Sequence, residues 1–296
     1  MKLVTFEQAG KVRPGIWLGD RVIDIAAADG GRVGLDSALA FIAAGQAALA
    51  AAAQWSAAPP AGAVIAASAV KLLAPIPRPL KNVFCVGRNY LDHVKEGAEV
   101  RNTALDLPKA PQYFSKPPTA VIGPEAEVSV ALVVSSAVDY EVELGLIIGK
   151  RGRDIAPDAV FDHIFGYTVI NDVTARDLQA LHGQWFRGKG LDTTCPIGPW
   201  IVTRDEIADV RKLELTCTVN GERRQTGMVE QMIFDIPTLV STLSIGMTLE
   251  PGDIIATGTP AGVGFAMKPP QLLNDGDVVV CEIAGIGALR NTIRRP

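Results

Sequence analysis

From Lys81 onward the chain is a succession of short apolar segments cut by glycine and proline, and no other feature restricts its fold as strongly. Runs of β-type composition fall at 82–86, 112–115, 120–122, 127–134, 141–148, 165–171, 198–202, 213–219, 253–257 and 278–283. Short helical patterns interrupt them at 91–97, 157–163, 173–181 and 235–244. The last is entered by Asp235 with Pro237 in its first turn, as helix starts favour. A doubly wound α/β chain would alternate strand and helix regularly. The pattern therefore predicts an α+β, β-rich domain over residues 81–296.

A different composition precedes it. Short β-type runs at 2–6, 14–18 and 21–25 are followed by an Ala- and Leu-rich stretch, Asp36 to Trp55, that has strong helical propensity and stops at Pro59-Pro60. This predicts a small α/β N-terminal domain at 1–72. Pro75, Pro77 and Pro79 stiffen a connector at 73–80 that offers few backbone donors to a sheet.

With 48% apolar and 20% charged residues the chain can bury a sizeable core. A net charge of −4, with its cations scattered, argues against nucleic acid as a partner. Gln46 and Gln54 interrupt the alanine-rich stretch, and alanine contributes little transfer energy, so no membrane role is expected. Cys85, Cys195, Cys217 and Cys281 form no C-x-x-C pair and read as reduced thiols. The N-terminus lacks the long apolar core of an export signal, which points to the cytoplasm.

Tyr140-Glu141-Val142-Glu143-Leu144 reads as a strand, and its period of two places Glu141 and Glu143 on one face. Two carboxylates held side by side repel unless solvated, protonated or bridged by a cation. A second apolar run, Gly166 to Asn171, ends in Asp172 where a helix begins, a position from which a carboxylate can point into a cleft or cap the helix. Three anionic oxygen donors without nearby histidine or cysteine suit Mg²⁺ or Mn²⁺ rather than zinc.

Four segments, Gly87-Arg88-Asn89-Tyr90-Leu91-Asp92-His93-Val94-Lys95-Glu96, Asp139 to Leu144, Asn171 to Gln179 and Thr257 to Gly264, occur in an order that closely resembles the fumarylacetoacetate hydrolase family. The resemblance spans residues 80–296 and implies a mixed β-sandwich roll, a homodimer and a bound Mg²⁺ or Mn²⁺. It implies Glu141, Glu143 and Asp172 as metal ligands, a His93–Glu96 dyad, and Lys189 as a catalytic lysine. The dyad also follows from spacing, since residues three apart share a helix face where the carboxylate can orient the imidazole. Candidate substrate contacts are Gln179, Arg88, Lys116, Gly258 and Thr259. Lys116, in Phe114-Ser115-Lys116-Pro117, reads as a loop cation able to attract an anion. The extra aspartate ligand of the larger eukaryotic members is replaced here by Val86.

The expected substrate is a small 2-oxo acid. The resemblance and the dyad together predict hydrolysis of a C–C bond in a 2,4-dioxo acid, giving pyruvate or a substituted pyruvate plus a carboxylic acid. The same chemistry also supports 2-oxo acid decarboxylation, as of oxaloacetate, or keto–enol isomerisation. A non-catalytic metal-binding relative is the competing class. The charged, glycine-containing stretch 94–111 is expected to form a lid.

Overall fold

The computed structural model describes residues 1–31 and 34–296, and among them two large sheets pack face to face, with a two-stranded ribbon of Val138–Asp139 and Thr174–Ala175 beside them. The larger has twelve strands. Its centre is the antiparallel trio Cys195–Thr203, Ile164–Asn171 and Val142–Ile148, continued through Ile254–Ala256, Val83–Gly87 and Gln112–Lys116. The second sheet orders its strands as Glu222–Met228, Glu214–Val219, Val278–Ile283, Gly287–Arg294 and Glu127–Ser129.

Alternation along Val142–Ile148 explains how the layers meet. Val142, Leu144, Leu146 and Ile148 join Leu215, Cys217, Val279 and Leu289 of the second sheet in one core. Ile147 faces the opposite way, into a core shared with Phe41 and Ile42 of helix Ala38–Ala57. Glu143 falls on the same face as Ile147, farther along the strand. The chemistry thus lies on the helix-bearing face, beyond the helix's reach.

The N-terminal strands join the main sheet, because Lys2–Gln8 pairs antiparallel with Cys195–Thr203. Helix Ala38–Ala57 is capped by Ser37, whose hydroxyl accepts from the Ala40 N–H. It is long and apolar enough to cross a membrane by length and composition. Gly45, at φ 59° and ψ −133°, divides it, and Phe41 meets Phe165 edge-on at 6.4 Å between ring centroids.

Most predicted elements recur within a few residues, and the departures have causes. The run 127–134 is a strand only at Glu127–Ser129. Beyond it the chain turns, and Leu132 and Val133 are 61% and 94% exposed. Strands Glu222–Met228 and Gly287–Arg294 escape the sequence pattern because their outward positions carry Glu222, Arg223, Arg290 and Arg294, leaving too few apolar residues to register. The four cysteines are free and buried.

Candidate active site

Glu141, Glu143 and Asp172 converge at one end of the central trio. Val142 pairs with Asn171, and the Asp172 N–H donates to the Glu141 carbonyl at 2.9 Å, so the residues flanking these strands sit side by side. One carboxylate oxygen from each acid lies within 4.8 Å of the others, and all three residues are buried. Carboxylates gathered this closely need protons on them or cations beside them.

The protein supplies three. Lys189, at the end of the short helix Phe186–Lys189, places Nζ 2.8 Å from Glu141 Oε2 and 2.7 Å from Asp172 Oδ2. Arg176 Nη1 lies 2.7 Å from Glu141 Oε1, while its Nε and Nη2 both reach Asp139 Oδ2 at 2.9 Å. Lys116 Nζ lies 2.7 Å from Asp172 Oδ1. That contact is an ion pair off the hydrogen-bonding direction, since the ammonium donates to the Val173 and Lys189 carbonyls.

Glu143 has no such cation. Its Oε2 accepts the Gly258 N–H at 2.8 Å, and burial together with Asp172 and Glu141 pushes its carboxyl well above the usual range. Burial also opposes ionisation of Glu141, but Lys189, Arg176 and His93 outweigh it and bring that carboxyl to about 2. Burial would neutralise Lys189 in the same way, yet Asp172 and Glu141 hold its ammonium above the ordinary lysine value.

The donor set fits a hard divalent ion. It offers one oxygen from each of three buried acids, and Glu143, which no lysine or arginine pairs directly, is the one whose ionised form a bound cation would stabilise. Gly258 is fixed by this arrangement. Its φ of +97° suits glycine, and a Cβ there would lie 2.8 Å from the Asn89 Cβ.

Several of these groups line a cavity of about 680 Å³. Glu141, Glu143, Lys189 and Arg176 form part of its wall, and His93 faces it from helix Leu91–Arg101. His93 Nδ1 lies 2.7 Å from Glu96 Oε1, and Glu96 Oε2 accepts the Gly262 N–H at 2.8 Å. The carboxylate therefore ties the imidazole to the loop after strand Ile254–Ala256. Asp139 braces that loop from the other side, accepting N–H bonds from Gly264 and Phe265. A larger cavity of about 810 Å³, bordered by Trp17, Leu49 and Phe165, contains none of these groups.

Among the candidate substrate contacts, Arg88, Gln179 and Thr259 border the cavity, and Gly258 spends its N–H on Glu143. Lys116 is a correction to the sequence reading. It is fully buried behind Asp172 rather than on an exposed loop, because it ends strand Gln112–Lys116 and its ammonium donates to the Val173 and Lys189 carbonyls. His163 donates from Nδ1 to the Lys150 carbonyl at 2.9 Å, exposed His182 ends helix Arg176–His182, and neither joins the cavity wall.

Phe114 and Trp185 were not singled out by sequence, since isolated aromatic residues read as core. They stack edge-on at 5.4 Å beside the cavity, with Lys189 Nζ 5.1 Å from the Phe114 centroid. Asp139 was also passed over as a functional residue, although it stands two residues before Glu141. Of the stretch 94–111, residues up to Arg101 are helical, and Thr103, Ala104 and Asp106 border the cavity.

Residues 82–294 match the family model described as fumarylacetoacetate (FAA) hydrolase C-terminal. An oxaloacetate tautomerase from Bacillus subtilis is 51% identical over 227 residues, covering 76% of this chain and 74% of its own. A mitochondrial oxaloacetate tautomerase from Homo sapiens is 45% identical over 232 residues, covering 78% and 71% respectively. The solved structure of a fumarylacetoacetate hydrolase from the psychrophile Exiguobacterium antarcticum aligns over 100% of both chains, with a TM-score of 0.84 and 41% identity.

Proposed function

This chain belongs to the fumarylacetoacetate hydrolase family, and on that premise we propose that it interconverts the keto and enol forms of a small 2-oxo acid of the oxaloacetate type. The observation that carries this reading is one cavity lined by both a carboxylate-oriented imidazole and a buried ammonium, beside three converging carboxylates.

Tautomerisation moves one proton between C3 and the C2 oxygen. The step needs a base at the carbon and a positive group at the oxygen. His93, oriented by Glu96, is the group to exchange the C3 proton through the ring nitrogen not engaged by Glu96. Lys189 is the group to face the oxygen as negative charge grows there. Its ammonium stays charged because Asp172 and Glu141 surround it. A divalent ion held by Glu141, Glu143 and Asp172 would act as a Lewis acid on the 2-oxo acid's oxygens and lower the cost of the enolate. Phe114 and Trp185 wall the cavity beside Lys189, which is itself buried, and burial strengthens the charge interactions that its ammonium makes.

Hydrolysis of a 2,4-dioxo acid, the first expectation from the sequence, becomes the second reading. The same dyad favours it, because an imidazole backed by a carboxylate can activate a water as readily as exchange a carbon-bound proton. The two oxaloacetate tautomerase relatives favour isomerisation. Product analysis separates the reactions. Enol loss from oxaloacetate without CO₂ release, and without acid release from an acylpyruvate, supports tautomerisation. Stoichiometric acid from the acylpyruvate supports hydrolysis, and CO₂ from oxaloacetate supports decarboxylation.

A further inference from the structure

Away from the carboxylate set, Arg88 and Arg101 make part of the cavity wall cationic, and although Asp106 also borders the cavity, among the described residues no ion pair neutralises them. Helix Leu91–Arg101 presents His93, Gly97 and Arg101 at four-residue intervals, so all three share one face, and all three border the cavity. Helical side chains lean toward the N-terminus. Arg101 does so, with Nη2 lying 2.8 Å from where a Cβ on Gly97 would stand. Gly97 is the gap through which this guanidinium reaches back toward His93.

Arg88 borders the same cavity from a left-handed turn at φ 57°. It donates one bond to the Asp106 carbonyl, and its buried Nε has no partner. Among the described residues neither Arg88 nor Arg101 has a carboxylate within ion-pair distance. Arg176, by contrast, is matched by Asp139 and Glu141. Arg101 as a residue is exposed at the cavity's edge, yet partial burial of its guanidinium, with Arg88 and Arg176 nearby, holds it below its usual range.

We infer that Arg88 and Arg101 receive the second carboxylate of a dicarboxylic 2-oxo acid, and that this pair makes the enzyme selective for short diacids over 2-oxo acids with a neutral end. The inference rests on the tautomerase reading for the chemistry, and on the cavity for the charge. The Arg101 guanidinium lies over Gly97, four residues and about 6 Å of helix rise from His93. That step suits a diacid whose reacting C3 is adjacent to its distal carboxylate carbon. Planar guanidinium groups bind carboxylates through paired N–H bonds, so two of them favour a charged end strongly over an amide.

The test compares oxaloacetate with its neutral C4 amide, 2-oxosuccinamate, as tautomerisation substrates of the Mn²⁺-loaded wild type, Arg101→Met and Gly97→Leu. The second variant keeps the cation and improves helix propensity while crowding the guanidinium off its place. Wild type should prefer oxaloacetate, and each substitution should reduce that preference roughly 10- to 100-fold through KM, as loss of a charge-assisted hydrogen bond does. Calorimetry on the same proteins reads binding without turnover. Malate, an unreactive C4 diacid, should bind both variants more weakly, while oxalate, too short to reach Arg101, should not discriminate them from wild type.

A preference that survives both substitutions, or malate binding that does, overturns the inference and leaves the tautomerase reading intact. If wild type turns over neither substrate, the tautomerase reading falls, and the malate and oxalate titrations still decide whether the arginine pair receives a carboxylate.

Discussion

Replacing Lys116 with methionine removes the cation packed behind Asp172 while keeping an unbranched side chain in a position with no solvent exposure. Three acceptors lose a partner together: Asp172 Oδ1 and the carbonyls of Val173 and Lys189. Breaking a buried ion pair from one side costs about 3–5 kcal/mol. The surviving 2.7 Å contact between Lys189 Nζ and Asp172 Oδ2 places this case at the lower end. Unfolding entropy near the transition is about 2.1 cal/mol/K per residue. For the 296-residue chain that is about 0.6 kcal/mol/K, so a loss of about 3 kcal/mol lowers Tm by about 5 °C. Circular dichroism melts in chelator measure this. Removing the ammonium that competes for Asp172 should also tighten Mn²⁺ binding, so saturating Mn²⁺ should narrow the gap between variant and wild type. A drop below about 1 °C in chelator, or a gap that Mn²⁺ leaves unchanged, refutes the electrostatic reasoning.

Other substitutions probe separate parts of the site. Gly258→Ala places a Cβ 2.8 Å from Asn89 Cβ at a φ of +97°, displacing the N–H that holds Glu143, and Mn²⁺ affinity by calorimetry should fall about 10- to 100-fold. Glu96→Gln takes the charge from the dyad, and kcat for enol loss should fall about 10- to 100-fold with Mn²⁺ affinity retained. Burial opposes ionisation of Asp177, but hydrogen bonds from Ser135, Ser136 and Leu178 win and hold its carboxyl below the usual value. A depressed folded pKa means this stabilisation is present above the unfolded value of about 3.9 and is lost as pH falls through the folded one. The Tm difference between wild type and Asp177→Asn should therefore be constant near neutrality and shrink as the pH drops below about 4.

Much of the site was legible because strand alternation is a strong constraint. A period of two was enough to place Glu141 and Glu143 together, and the end of the run Gly166 to Asn171 was enough to place Asp172. The dyad followed from helical spacing, and the structure gives it a 2.7 Å contact. What could not be read were partners made across the fold. Lys116 is 56 residues from Asp172 in sequence, and nothing local in Phe114-Ser115-Lys116 separates a buried ion pair from an exposed loop cation. Arg101 was missed for a related reason, since its significance depends on the gap at Gly97 and the lack of a facing acid. Strands Glu222–Met228 and Gly287–Arg294 were hidden by their polar outward faces, although each closes part of the second sheet.

The central claim is that a buried carboxylate set and the His93–Glu96 dyad act together on the enol of a 2-oxo acid. Its most direct test is the decay of oxaloacetate enol absorbance after rapid mixing with Mn²⁺-loaded protein, comparing wild type with His93→Ala and Glu143→Gln. Wild type should accelerate the decay and lose that acceleration in chelator. Glu143→Gln should lose both Mn²⁺ and acceleration, while His93→Ala should keep the ion and lose the rate. Decay as fast in His93→Ala as in wild type, or unchanged in Glu143→Gln, would contradict the account.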